Sequence, residues 1–515
     1  MSARRGRACF WPLGFLFVLA TALGIRLDAC GQTGWTGLLL CLGAALVLGP
    51  LLGEGFLWLA RLLCRPHRPL GLKSQKAFWL SLLVLLLCWL PILLAFYPGI
   101  TGYDVDNQSR QILTGEYQAN HPLLHTLLMG LCMKLLVNTS GYGLYTCIQL
   151  LLLALAVACA MSRLAGMRIP RWLWICLLAL FALAPQHGVM AVSGTKDVLF
   201  AAAMLLLVVE LLCPPDRRRG WLRMLLFATL VGLLRNGAVW AVGIGGLALL
   251  VFGLRKTGWR LPACLMAAAV LALGVNTGLK AALNVQPTGM TGEALSIPCQ
   301  QLARVYVQED TEEAVREEVL SRVPYAADYV PWLADNAKQA VYFGSKPQRV
   351  VSFFKLWGRE GLRHPIEYID AFLFTSKGYW DVGDSSFTTI YDDQPNEAKG
   401  VLMLRHAPDT PIEEHSLLPG LKALWKRLFA ENEYKRIPLV GLLLHPAVYT
   451  WLTAFVFACA LWKRRRGFAL LCGALLLEVL LKMLGPCCII RYQYDLMLAA
   501  PVLLGALPVL AKEEP

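Results

Sequence analysis

The residues best suited to chemistry begin at "YPGITGYDVDNQ", residues 97–108, where a long apolar run ends in a turn and two carboxylates follow, Asp104 and Asp106. On a loop, acids at i and i+2 can share one divalent cation through oxygen ligands. Alternatively, one of them can act as a general base toward a hydroxyl. The plain alternative is that both are solvated loop charges.

Other groups of the same kind recur along the chain. "NHPLLHT" carries His121 and His125, which four-residue spacing would put on one face of a helix begun by Pro122. In "SGTKD", Asp197 suits a helix N-terminus, whereas Lys196 does not, because a cation there opposes the helix dipole. Lys196 is therefore a candidate for a phosphate or an acceptor. "LLRNGAVW" sets Arg235 and Asn236 between two apolar runs, where a forked guanidinium must snorkel or meet an anion such as a lipid phosphate. "CCIIRYQYD" offers Arg491, Tyr492 and Tyr494 as an interfacial aromatic belt or a second phosphate contact. "SIPCQQLARVY" sets Gln300, Gln301 and Arg304 on a polar helix face. The apolar-aromatic "HPIEYIDAFLFTSKGYW" can rest on a membrane or roof a cleft.

Several signatures are missing. The sequence has no Walker loop, no GxGxxG after a strand, no GxSxG and no HExxH, so no nucleotide cofactor is expected. The sixteen cysteines are scattered without metal-type CxxC spacing.

The elements that must position these groups are apolar. Hydrophobic residues make up 57% of the 515, and runs long enough to cross a bilayer recur. The expected fold is an all-α polytopic membrane protein. About twelve transmembrane helices are expected, at 9–27 (an uncleaved first span), 36–60, 77–97, 142–161, 172–190, 197–213, 221–235, 238–254, 261–282, 446–462, 467–484 and 489–511. The basic clusters "MSARRGR", "RLLCRPHRPLGLKSQK", "SRLAGMRIPR", "DRRRG", "RKTGWR" and "KRRRG" then all fall on the cytoplasmic side, provided 122–137 lies in the interface and does not cross.

That parity places both termini in the cytoplasm of a multi-pass cell-membrane protein and residues 98–141 and 284–443 outside. The segment 284–443 holds 22 of the 34 acidic and 17 of the 48 basic residues, so it is net acidic and the positive charge behind the chain's net +14 resides in the rest. It is a signature of topology, and no basic patch interleaved with aromatics points to nucleic acid. The expected organisation is two N-terminal helices (1–76), a core (77–282) with outer loop 98–141, an extracytoplasmic mixed α/β domain (284–443) and three closing spans (446–511). Helices are expected at 300–322 and near 347–360, with "GYWDVGDSSFTTIYDDQPNE" as loop and short strand.

The order of these features resembles the GT-C superfamily of polytopic glycosyltransferases, such as the protein O-mannosyltransferases and lipid A aminoarabinose transferases. Their first outer loop holds an acidic motif followed by a His-Pro-Pro-Leu-like turn. Here Asp104-x-Asp106 is followed by "HPLL", with Leu123 in place of the second proline. A nearer resemblance is to bacterial multipass proteins sharing "YPG", "HP", "KD", "RNG", "IPxQQxARV" and "RYxY", found here at 97–99, 121–122, 196–197, 235–237, 297–305 and 491–494.

The resemblance implies a cell-envelope transferase that takes a sugar from a polyprenyl-phosphate donor in the membrane and passes it to a glycolipid, wall-polymer or protein acceptor. It implies that Asp104 is the base and that Asp106 assists it or ligates Mg²⁺ or Mn²⁺. Lys196, Arg235 and Arg491 would meet the leaving phosphate, and Gln300, Gln301 and Arg304 would line the acceptor side. His121, His125, Asp197, Asn236, Tyr492 and Tyr494 complete the candidate substrate-binding set. A transporter or flippase of an anionic lipid-linked substrate, and a non-catalytic envelope assembly factor, are the competing readings.

Overall fold

The computed structural model describes residues 2–65, 67–101, 103–136, 138–212, 217–253, 258–285, 295–341, 343, 347–383, 412–430 and 437–510. Helices dominate it, and no strand ladder forms among the described residues. The N-terminal half comprises α1 (Ser2–Cys30), α2 (Trp35–Leu63), α3 (Ser74–Ala95), α4 (Tyr103–Thr114), α5 (Leu123–Leu135), α6 (Asn138–Gly166), α7 (Arg171–Leu183), α8 (Pro185–Val192), α9 (Lys196–Leu212), α10 (Arg218–Leu234), α11 (Ala238–Ala248) and α12 (Arg260–Ala282). A second group, α13 (Ser296–Tyr306), α14 (Glu313–Leu320), α15 (Ala334–Ala337), α16 (Pro347–Arg363) and α17 (Pro365–Ser376), forms the polar domain. The chain continues with α18 (Pro419–Ala430), α19 (Pro438–Leu444), α20 (Pro446–Trp462), α21 (Arg466–Lys482) and α22 (Ile490–Leu510).

Five helices, α1, α2, α3, α6 and α12, are long and apolar enough to cross a membrane. The number rises to seven if α7 with α8, bent by 48°, and α19 with α20, bent by 76°, each form one span. Pro185 and Pro446 open the second helix of each pair, and neither can donate the hydrogen bond that would continue the first. The other expected spans are shorter or more polar helices: α9, α10 and α21 have 17 residues, α11 has 11 and α22 has 21. Exposed leucines and tryptophans, among them Leu39, Leu51, Trp58, Leu87 and Trp240, cover the outside of the bundle, as a lipid-facing surface requires. A continuous buried apolar core joins α1–α3, α6–α9 and α20–α22.

Helix α5, at 13 residues, is too short to span, in keeping with an interfacial helix. Residues 98–141 are less of a loop than the sequence reading supposed, because α4 and α5 occupy most of them. The helix expected at 300–322 divides into α13 and α14. Its break is held by Thr311, whose hydroxyl donates to the Val305 carbonyl. The described part of the polar domain is helical, packed around Leu302, Val305, Val319, Phe353 and Leu356. The stretch expected to carry short strand, from residue 384 on, lies outside the described residues.

This domain is fastened to the N-terminal hairpin. The Thr33 backbone N–H and hydroxyl donate to Asp370, and Arg304 donates to Asp370 at 3.2 Å and to the Gly31 carbonyl at 3.0 Å. Lys377 pairs with Asp28 and Asp381. Beyond Asp370, Phe372, Leu373 and Phe374 on α17 pack against the bundle core.

Candidate functional site

The site is built by a short backbone clasp. Ile100 pairs in parallel with Ser193: the Ile100 N–H donates to the Val192 carbonyl at 2.8 Å, and the Gly194 N–H to the Ile100 carbonyl at 3.0 Å. Tyr142 also donates to the Ile100 carbonyl, at 2.7 Å. Two glycines permit this approach. A Cβ on Gly99 (φ +137°) would lie 2.5 Å from the Thr146 hydroxyl and 3.0 Å from the Val192 carbonyl oxygen, and one on Gly194 would lie 2.2 Å from the Tyr142 hydroxyl. From this clasp α4 and α9 start side by side.

Asp104, one turn beyond Ile100, is buried, and both Lys196 Nζ (2.7 Å) and Arg491 Nη1 (2.9 Å) donate to the same atom, its Oδ2. Lys196 also donates to His121 Nδ1 at 3.3 Å. Pairing with Asp104 offsets the unfavourable position of Lys196 at a helix N-terminus. Asp197, buried beside it, accepts from the Thr195 hydroxyl at 3.1 Å and acts electrostatically on His121, Arg235 and Arg491. Arg491 lies 5.1 Å above the Tyr492 ring, and its Nε is buried with no hydrogen-bond partner among the described residues. The two cations hold the Asp104 carboxyl far below the usual carboxylate range, against the opposing effect of its burial.

Arg235 approaches from the α10–α11 turn. Its guanidinium carbon lies 5.0 Å from the centre of the Phe200 ring, and Nη1 is 4.0 Å from Glu478. Asn236 in the same turn donates to the Ala119 carbonyl at 2.9 Å, tying this turn to the loop that carries His121. The polar domain grips the segment before Arg491: the Ala334 N–H donates to the Pro486 carbonyl at 2.8 Å, and the Tyr379 hydroxyl to the Cys487 carbonyl at 3.3 Å.

Behind Asp104 runs a buried hydrogen-bond chain. Gln108, one helical turn on and so on the same face, donates to His125 Nδ1 (2.9 Å) and the Thr126 hydroxyl (2.8 Å). Tyr145 donates to Gln149 (2.6 Å), so its oxygen accepts from His125 Nε2 (2.6 Å), which fixes His125 as the neutral Nε2–H tautomer. Gln149 donates to the carbonyls of Ala191 and Ser193. The chain thus ties α4, α5 and α6 to the residues just before Lys196.

Asp104, His121, Lys196, Asp197 and Arg491 therefore come together, with Arg235 and Asn236 alongside. Other expectations change. Residues 103–114 are helical, and side chains at i and i+2 of a helix point away from each other, so Asp104 and Asp106 do not share one cation. Asp106 turns instead toward Arg110, at 3.6 Å. His121 precedes α5, so the two histidines do not share a helix face. His125 is fully buried with both ring nitrogens engaged, which suits it to holding the site together rather than touching a ligand.

Tyr494 is likewise buried in the core, its hydroxyl 3.3 Å from His187, whereas Tyr492, like Trp332 and Leu333 of the polar domain, packs against Cys487 and Ile489. Gln300 and Gln301 brace the polar domain. Gln300 donates to the Val330 carbonyl at 2.6 Å. Gln301 donates to the Tyr368 carbonyl at 3.1 Å and accepts from the Trp357 indole at 2.8 Å. Arg304 serves the hairpin joint described above.

A second buried cluster escaped the sequence reading. Lys482 donates to both carboxylate oxygens of Asp495 at 2.7 and 2.8 Å and lies 3.2 Å from Glu478, which also faces Arg235. Its signal was present, because ionisable groups inside apolar runs are costly and call for partners. Glu478 and Lys482 share α21 at i,i+4 spacing, whereas Asp495 lies on α22 and no spacing pairs it with them.

Fold and site together define a helical protein with membrane-spanning segments and a buried, alternately charged cluster where α4, α9 and α22 begin. The chain belongs to the family of unknown function DUF6020, whose sequence profile matches residues 114–512. The match covers Lys196, Arg235 and Arg491 but begins after Asp104. No curated protein and no solved structure matches the chain.

Proposed function

We propose that this protein is a membrane glycosyltransferase of the GT-C type, moving a sugar from a polyprenyl-phosphate donor to an extracytoplasmic acceptor. The observation that carries the reading is the convergence of one carboxylate and two cations, Asp104, Lys196 and Arg491, where α4, α9 and α22 begin. In this reading an acceptor hydroxyl attacks the anomeric carbon and gives its proton to Asp104. The bond from that carbon to the phosphate oxygen breaks with inversion, and the phosphate leaves with the electron pair. Lys196 and Arg491 meet the charge that develops on it, which is where fixed cations accelerate such a step. Arg235, alongside, extends the cationic surface toward the lipid phosphate.

The same reading carries the topology: twelve spans, both termini cytoplasmic, and the Asp104 site and the polar domain outside. Neither Asp106 nor any shared metal ion has a step in it. The acceptor is a glycolipid, a wall polymer or a protein. Incubating the reconstituted protein with polyprenyl-phosphate sugars and measuring release of the lipid phosphate tests the reading. Transfer that survives Asp104→Asn undiminished removes Asp104 as the base.

A second reading, a flippase for an anionic lipid-linked substrate, draws support from the buried Glu478–Lys482–Asp495 cluster and the two bent helix pairs. It is favoured if vesicles show vectorial movement of the labelled lipid with no covalent change.

A further inference from the structure

We propose that Asp104 occupies its own anion site, standing in for a phosphate that must displace it before the carboxylate is free to act. The inference rests on the phosphate-donor reading for the identity of the ligand and on the following geometry for the rest. Lys196 and Arg491 both spend a donor on one oxygen, Oδ2 of Asp104. Arg491 meets that oxygen through Nη1 alone and leaves Nε, buried, without a partner among the described residues.

A guanidinium offers parallel donors that suit an anion with two oxygens side by side. A phosphate monoester can present one oxygen to Nε, another to an η nitrogen and a third to Lys196; a diester, with two free oxygens, can span Nε and an η nitrogen while Lys196 shares one of them. Asp104, held at one oxygen, fills this site incompletely. The cations remain slightly exposed, with side-chain exposures of 20% for Lys196 and 13% for Arg491, so an anion can reach them.

The exchange is a side-chain rotation and leaves the helix in place, because Gln108 one turn on pins α4 to His125 and Thr126. It orders the reaction. While the site is empty of ligand, two cations hold the carboxylate ionised and poorly basic. Once a phosphate takes them over, Asp104 loses its partners and gains affinity for a proton. The base is armed only when the donor is in place, which protects the activated lipid from water.

The test is binding of three probes to the full chain in nanodiscs: a polyprenyl phosphate, the matching uncharged polyprenol, and inorganic phosphate. The wild type is compared with Asp104→Asn and Asp104→Glu. Removing the competing charge raises the fraction of free site, so Asp104→Asn gains about tenfold or more in polyprenyl-phosphate affinity while Asp104→Glu does not. The polyprenol shows no gain. A gain for inorganic phosphate as well locates recognition in the phosphate alone, and a gain restricted to the lipid adds the prenyl chain; both support the exchange.

If Asp104→Asn is unstable, the same result is read as a larger rise in thermal midpoint on adding polyprenyl phosphate than the wild type shows. No gain in either readout, or an equal gain in Asp104→Glu, overturns the inference. A gain without any sugar transfer by the wild type keeps the exchange and removes the transferase reading. Transfer without a gain does the reverse.

Discussion

Asp104 and Lys196 are 92 positions apart in sequence and meet at 2.7 Å because Ile100 and Ser193 pair backbone to backbone just before them. The charge pair is therefore a consequence of the clasp, and disturbing the clasp should disturb the site without touching a charge. Gly99→Ala places a methyl group against Thr146 and the Val192 carbonyl at a backbone angle that L side chains rarely adopt. The expected cost is about 1–3 kcal/mol, as for an overpacked core. Thermal unfolding measures it, and an unchanged midpoint contradicts this account of the clasp.

Stability should respond to pH through the two histidines that flank Asp104. Burial lowers His121 to about 4 and His125 to about 3, from an ordinary 6.5. In both, the folded pKa lies below the unfolded one, so the unfolded chain binds more protons in between. Stability is therefore full above 6.5 and is lost as pH falls toward 4. Asp104, whose folded pKa is also depressed, loses its contribution below its unfolded value near 3.8. His125→Gln should make the slope of thermal midpoint against pH shallower between pH 6.5 and 4, and an unchanged slope speaks against a buried neutral His125.

The joint between the N-terminal hairpin and the polar domain should be cooperative. Thr33 and Arg304 both bond Asp370, which is 1% exposed. Asp370→Ala leaves Arg304 buried without its counter-charge, a loss of about 3–5 kcal/mol. A double-mutant cycle with Thr33→Val should give a coupling energy of about 0.5–3 kcal/mol, the range for residues in contact. Strict additivity would show that the hairpin does not share Asp370.

Lys482 satisfies buried Asp495 and half-buried Glu478 at once, so its removal should cost more than the removal of a complete pair. Lys482→Met is expected to destabilise by about 3–5 kcal/mol, and Lys482→Met combined with Asp495→Leu should recover much of that. Equal losses in the single and double variants would deny the ion pair its role. Denaturation in detergent, followed by tryptophan fluorescence, distinguishes the two.

The reach of the sequence ended where local pattern gave way to tertiary pairing. Apolar runs marked α1, α2, α3, α6 and α12, and the 122–137 segment was legible as a helix too short for a span. Residues 103–114 were read as part of a long loop, yet Tyr103 onward closes into helix α4. That single difference removed the shared-cation idea and brought Gln108 into line with Asp104.

The charged motifs were visible one by one. Their grouping was visible only as order along the chain, because Ile100 with Ser193, and Arg491 with Asp104, are non-local pairs. Gln300, Gln301 and Arg304 looked like a binding face because three polar groups share α13. Their hydrogen bonds run inward, to the carbonyl of Val330, the carbonyl of Tyr368 and the carboxylate of Asp370.

The most direct test of the central claim is release of polyprenyl phosphate from a panel of polyprenyl-phosphate monosaccharides by the reconstituted protein. The account expects release with at least one donor, reduced about 100-fold or more in Asp104→Asn and by a similar order in Arg491→Gln, as for loss of a general base or of a charge-stabilising donor. No release from any donor, or release that both variants retain in full, would contradict it.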